Sequence, residues 1–201
     1  MSSDIIDETV ELDPVTGLYC TMSLFTNVTN TAELREKLIT EKLDCCMVNV
    51  ATIVDTFQAV VAANKAALNA TRKQLVTKNI NTEILFSMSL SDSIVYALDE
   101  FGLSDDVKNL LIIMIHKDGE EKAMLEKISE NVKGNKVSIS NLKKFTDENR
   151  VKETYAINVI EQQNSNILDI IVSKISGSTL FPPKNRNRGR RISYEQYEQK
   201  S

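Results

Sequence analysis

Between Thr52 and Leu68 the chain reads TIVDTFQAVVAANKAAL. This stretch predicts one helix, apolar almost all round and rich in alanine. A helix lying on a protein surface keeps a polar stripe toward water. One without such a stripe belongs at the centre, with neighbours on several sides. Its few polar residues, Asp55, Gln58, Asn64 and Lys65, therefore carry more information than usual.

Upstream, Leu18 to Phe25 (LYCTMSLF) reads as the first strand, introduced by the turn signal Asp13-Pro14-Val15-Thr16-Gly17. Residues 1–16 are polar and are expected to be a flexible lead-in. Asn30, with Glu33 three residues on, predicts a capped helix whose Leu34, Leu38 and Ile39 share a face. Cys46-Met47-Val48 predicts a short second strand. Downstream come a basic linker (Arg72, Lys73, Lys78) and then TEILFSMSL (82–90), which fits helix or strand equally. Ser91 predicts the cap of a helix through Phe101, stopped by Gly102 in the left-handed position.

Asn109 to His116 is a continuous apolar run, as expected of a strand buried on both faces. A charged helix (120–130), a turn at Gly134, a strand near Val137 and a helix from about Ser140 are expected next. The last apolar element, Asn166 to Ser176, sets Ile167, Leu168, Ile170, Ile171 and Ile175 on one wide helical stripe. Helices and strands mix without a strict alternation, and no internal repeat occurs. The expected fold is α/β, of the mixed α+β kind: a single domain over residues 17–176, with a mixed β-sheet packed against several helices. From residue 177 the composition turns polar and basic, which predicts a disordered tail.

At 201 residues, with 42% hydrophobic and 26% charged side chains, the chain has ordinary globular composition. Its longest aliphatic run, Leu110 to Ile115, falls well short of the ~20 residues that span a bilayer, so no membrane role is expected. Cys20, Cys45 and Cys46 read as reduced thiols, and adjacent cysteines lack the Cys-x-x-Cys spacing of a zinc site. No metal and no cofactor is expected. Residues 184–201 carry six basic and two acidic side chains, leaving 18 basic and 26 acidic on the rest. An acidic body with a basic tail does not coat nucleic acid with its whole surface, so any such role must be local.

Signatures of catalysis are missing from the sequence. There is no phosphate-binding glycine loop and no nucleophile elbow, and a catalytic triad would have to use His116, at the end of a core strand. Pairs such as Asp105-Asp106 and Glu120-Glu121 read as solvated loop charges. The residues point to a non-enzymatic interaction domain, with no catalytic residue. A small-molecule enzyme on an unfamiliar scaffold would need a pocket of convergent titratable groups.

TIVDTFQAVVAANKAALN (52–69), NTEILFSMSL (81–90) and IVYALDEFGL (94–103) together resemble one family, the small kinase-binding subunit of the KEOPS/EKC complex. The resemblance covers residues 17–176 and carries nothing onto residues 1–16 or the tail. It implies a mixed α/β fold without catalytic activity. It also implies a partner, the atypical p53-regulating type of kinase subunit, through which the threonylcarbamoyl transferase is contacted indirectly. The complex so implied modifies the adenosine next to the anticodon, and its small subunit helps recruit tRNA by the 3′ CCA end. Cytoplasm and nucleus are the expected locations. A stand-alone adaptor or kinase regulator without tRNA contact is the alternative.

Two surfaces follow as expectations. Val95, Leu98 and Phe101 on one helix, with Ile167, Ile170, Ile171 and Ile175 on the last, are candidates to meet the kinase; plain core packing is the competing reading. Asn64, Lys65, Arg72 and Lys73 form a basic cluster suited to an RNA end, against a snorkelling lysine and a satisfied amide. In the tail, Lys184 to Arg191 fits phosphate contact or nuclear import, and Arg190-Arg191-Ile192-Ser193 makes Ser193 a candidate phosphorylation site.

Overall fold

The computed structural model describes residues 6–178. Its sheet has the strands β1 (Asp7–Glu11), β2 (Tyr19–Thr26), β3 (Cys46–Asn49), β4 (Leu110–His116) and β5 (Asn135–Val137). The spatial order is β1-β2-β4-β3, and β5 continues along the flank of β2 that β1 leaves uncovered. Register follows from Cys20↔Ile115 and Leu24↔Leu111 on one side of β4 and Cys46↔Ile113 on the other.

Because side chains alternate across a strand, β4 sends Leu111 and Ile113 into one apolar cluster and Leu110, Ile112 and Met114 into another. The first cluster is closed by helices α2 (Thr56–Thr71), α3 (Ile80–Met88), α4 (Ile94–Phe101) and α8 (Ile167–Gly177). The second is closed by α1 (Thr31–Ile39) and α5 (Glu121–Asn131). Helix, sheet, helix is the resulting layer order, and it explains why β4 is apolar at every position before His116. Two short helices, α6 (Glu148–Thr154) and α7 (Val159–Asn164), lead into α8.

Fold class and single domain agree with expectation, and several details are corrected. All pairings among the described strands are antiparallel, where a mixed sheet was expected. An apolar run reports burial on both faces and is silent about strand direction. The lead-in is not flexible from residue 7 onward. It forms β1, and Leu12 is in the core. Asp-Glu-Thr-Val-Glu looks like a tail because it is an edge strand, where acidic side chains discourage pairing with other chains. Asp7 accepts from Ser23 Oγ at 2.6 Å and pairs with Lys136 at 2.7 Å.

The 82–90 stretch resolves as helix α3, capped by Asn79, whose Oδ1 accepts from Thr82 N at 2.9 Å. Ser93, not Ser91, caps α4. Gly102 closes that helix with φ −78°, outside the left-handed region. Glycine is required there for another reason: a Cβ would stand 2.4 Å from the Leu98 carbonyl oxygen. Asn30 precedes α1 without capping it through its side chain. Its Oδ1 accepts from Lys133 N, and its Nδ2 donates to Asn131 O, tying α1 to the end of α5. α8 runs one residue beyond the expected domain boundary, through Gly177. The tail candidates Lys184 to Arg191 and Ser193 lie outside the described residues.

Candidate functional site

α2 starts at Asp55, whose carboxylate accepts from Phe57 N at 3.1 Å. Ala59, Ala62, Ala63, Ala66 and Ala67 are all fully buried. Side chains this small let α3 and α8 come close to the α2 backbone, which is why the stretch needs alanine rather than leucine. The one buried polar residue of α2, Gln58, is satisfied. Gln58 donates to Thr52 O (3.1 Å) and the Tyr155 hydroxyl (2.9 Å), and accepts from Val54 N (3.0 Å). Burial pushes the Tyr155 phenol well above its ordinary pKa. His116 bonds within the fold, to Thr21 Oγ1 and the Lys117 carbonyl, both at 2.8 Å.

The four residues expected to meet RNA divide into two pairs. Asn64 Oδ1 accepts from Asp13 N at 2.8 Å, holding the turn after β1. Lys65 Nζ donates to Ile175 O (3.1 Å) and Ser178 Oγ (2.6 Å), at the end of α8. Both side chains are thus engaged in the fold. Arg72 and Lys73 are exposed. Arg72 is the C-cap of α2, and Lys73 follows with φ +55°, a left-handed conformation that costs a lysine roughly 1–2 kcal/mol. Arg72 lies seven residues past Lys65, about two turns or ~10 Å along the same face.

Most of the stripe expected to meet a kinase is spent on the chain's own core. Phe101, Ile171 and Ile175 are fully buried, and Leu98 and Ile170 nearly so; Val95 and Ile167 are half-buried. A side chain with no accessible surface makes its contacts inside the fold, so those expectations are corrected toward core packing.

Several large apolar residues face outward that sequence reading did not single out, Val159, Ile160 and Phe57 among them. Val159 and Ile160 on α7 are 69% and 71% exposed, and Phe57 at the start of α2 is 52% exposed. α7 is fixed by a capping box between Asn158 and Glu161. Glu161 also meets Lys174 of α8 at 3.0 Å, and Lys174 donates to the Tyr155 and Ala156 carbonyls. Between α7 and α8 runs an open groove of about 560 Å³, lined among others by Ile160, Ser165, Asp169 and Ile170. Ile170 is the one stripe candidate among the groove's lining residues. A sequence signal for α7 existed in Asn158 followed three residues later by Glu161, the capping pattern.

A second cleft, of about 320 Å³, is lined by Leu38, Glu41, Leu43, Asp44, Cys45 and Asn79. Its acidic groups are engaged, Glu41 with Lys78 at 2.9 Å and Asp44 with Asn81 at 2.7 Å. Burial raises the Cys45 thiol far above its ordinary pKa, which makes it a poor nucleophile. Among the described residues no three His, Cys, Asp or Glu side chains gather as a metal would need, and no helix is long and apolar enough to cross a membrane.

Residues 25–178 match the model of a family described as kinase binding protein CGI-121. A Danio rerio protein named EKC/KEOPS complex subunit TPRKB is 29% identical over 156 residues, spanning 78% of this chain and 89% of its own. The Schizosaccharomyces pombe EKC/KEOPS complex subunit cgi121 is 28% identical over 145 residues, 70% of this chain and 83% of its own. A Gibberella zeae protein, EKC/KEOPS complex subunit CGI121, is 28% identical over 148 residues, 68% of this chain and 75% of its own.

Proposed function

The chain belongs to the CGI-121 family of kinase-binding proteins, and from that premise we propose that it is a non-catalytic subunit of a KEOPS/EKC complex. In this reading it binds the atypical kinase or ATPase subunit directly and meets the threonylcarbamoyl transferase only through it. It helps bring tRNA, by the 3′ CCA end, to threonylcarbamoylation of the adenosine next to the anticodon. Cytoplasm and nucleus are its proposed locations.

The observation that carries the kinase contact is the pair Val159 and Ile160. Adjacent aliphatic side chains some 70% exposed, beside an open groove, lose water-facing apolar surface when a partner covers them. Replacing Ile160 with Asp is expected to abolish co-elution with the kinase subunit while circular dichroism and melting stay as in the parent. Retained one-to-one binding by the folded variant would exclude the groove.

For tRNA, Arg72 and Lys73 support the reading, since they are the exposed members of the basic cluster. The test is binding of intact tRNA against tRNA trimmed of its CCA end. Weaker binding of the trimmed form is expected, and equal binding would remove the CCA contact. The inward hydrogen bonds of Asn64 and Lys65 favour a second reading, a kinase-binding adaptor without tRNA contact. Absence of tRNA binding by a chain that still binds the kinase subunit would select it.

A further inference from the structure

The carboxyl group of Glu83 on α3 is fully buried, and its four hydrogen-bond partners are neutral donors. Asn69 Nδ2, in the last turns of α2, donates to Oε1 at 3.0 Å. Val76 N (3.0 Å), Thr77 N (2.9 Å) and Thr77 Oγ1 (2.8 Å) all donate to Oε2. A buried carboxylate is tolerated when donors converge on it like this, and each donor is then held firmly in return. Those donors belong to two segments that flank Arg72 and Lys73. Asn69 lies three residues before Arg72, and Val76 lies three residues after Lys73. One carboxylate therefore fixes both ends of the short segment that presents the two cations, across the left-handed residue Lys73.

We infer that Glu83 is the positioning residue of the Arg72–Lys73 segment, holding these two cations where they meet the phosphates of an RNA end. The inference rests on the tRNA reading given above and adds the device that sets its geometry. A flexible pair of cations attracts phosphate from any direction. A pair held at both ends meets one arrangement of phosphates and loses less freedom on binding. Glu83 touches no RNA itself and acts through Arg72 and Lys73.

The test is a double-mutant cycle on tRNA binding by the full chain, with amide hydrogen exchange read alongside. Glu83→Gln keeps the shape but turns one acceptor oxygen into a donor facing donors. It is expected to weaken tRNA binding several-fold and to speed exchange at Val76 and Thr77, with kinase co-elution unchanged. Arg72→Ala with Lys73→Ala is expected to lower the salt dependence of binding by between one and two phosphate contacts. Adding Glu83→Gln to that pair should weaken binding no further. Equal weakening by Glu83→Gln in both backgrounds would overturn the inference, as would unchanged affinity or exchange in Glu83→Gln. If the Arg72/Lys73 pair itself leaves affinity unchanged, the tRNA reading falls, and exchange at Val76 and Thr77 still reports whether Glu83 holds the segment. Should Glu83→Gln fail to fold, Asn69→Ala removes the α2 tether from a half-buried position and takes its place in the same cycle.

Discussion

Gln58 sits fully buried in a helix whose neighbours are alanine and valine, and each of its amide atoms is bonded. Its Oε1 closes the turn before α2 through Val54 N, and its Nε2 joins Thr52 O to the Tyr155 hydroxyl. Gln58→Leu keeps the volume and leaves buried polar groups without partners, so it is expected to cost about 2–3 kcal/mol. Tyr155→Phe is expected to cost less, about 1 kcal/mol, because Gln58 Nε2 keeps its bond to Thr52 O. Urea midpoints of the two variants measure both, and equal losses would show that the hydroxyl, not the amide, holds the junction. Ile171 and Ile160 make the same kind of contrast. They share a residue type and nearly a neighbourhood, with 0% and 71% exposure. Ile171→Asp is expected to unfold the chain, since a lone buried carboxylate has nothing to pair with.

Among the elements, α7 is held to α8 partly by charge, through Glu161 and Lys174. Backbone donation from Asn158, and then Lys174, hold the Glu161 carboxyl below its ordinary pKa of 4.5. A carboxyl depressed in the folded state contributes stability that is complete above that ordinary value and is lost as pH falls through the folded one. Acidification from about pH 5 downward is therefore expected to loosen α7 from α8 before the sheet unfolds. Amide exchange in residues 159–164 measures this, and parallel loss of protection in β4 would contradict it.

The same scale shows what sequence could tell. α2 was legible because its apolar positions admit no solvent-facing side, and β4 because six consecutive apolar residues need cover on both faces. TEILFSMSL was ambiguous since an element buried all round has no periodicity left to read, and α3 is buried from Thr82 to Met88. β1 was missed because an edge strand protects itself with the charges that also mark a tail. α7 was missed since its apolar residues face water and contribute little to the core pattern.

At the scale of the molecule, the body is acidic, and Arg72 and Lys73 stand exposed where α2 ends. The RNA candidates were legible as a cluster of charge, but only the structure separates Arg72 and Lys73 from Asn64 and Lys65, whose hydrogen bonds cross more than 50 residues of sequence. Most of the kinase candidates turn inward for a related reason. An amphipathic stripe records which side of a helix avoids water, and the chain's own core serves as well as a partner does. The surface left over, the α7–α8 groove with Val159 and Ile160, depends on where two short helices come to rest. Size-exclusion chromatography of this chain with the separately purified kinase subunit, at micromolar concentration, decides whether the chain binds that subunit. One peak of one-to-one composition is the expected result. Two separate peaks from well-folded proteins would contradict it.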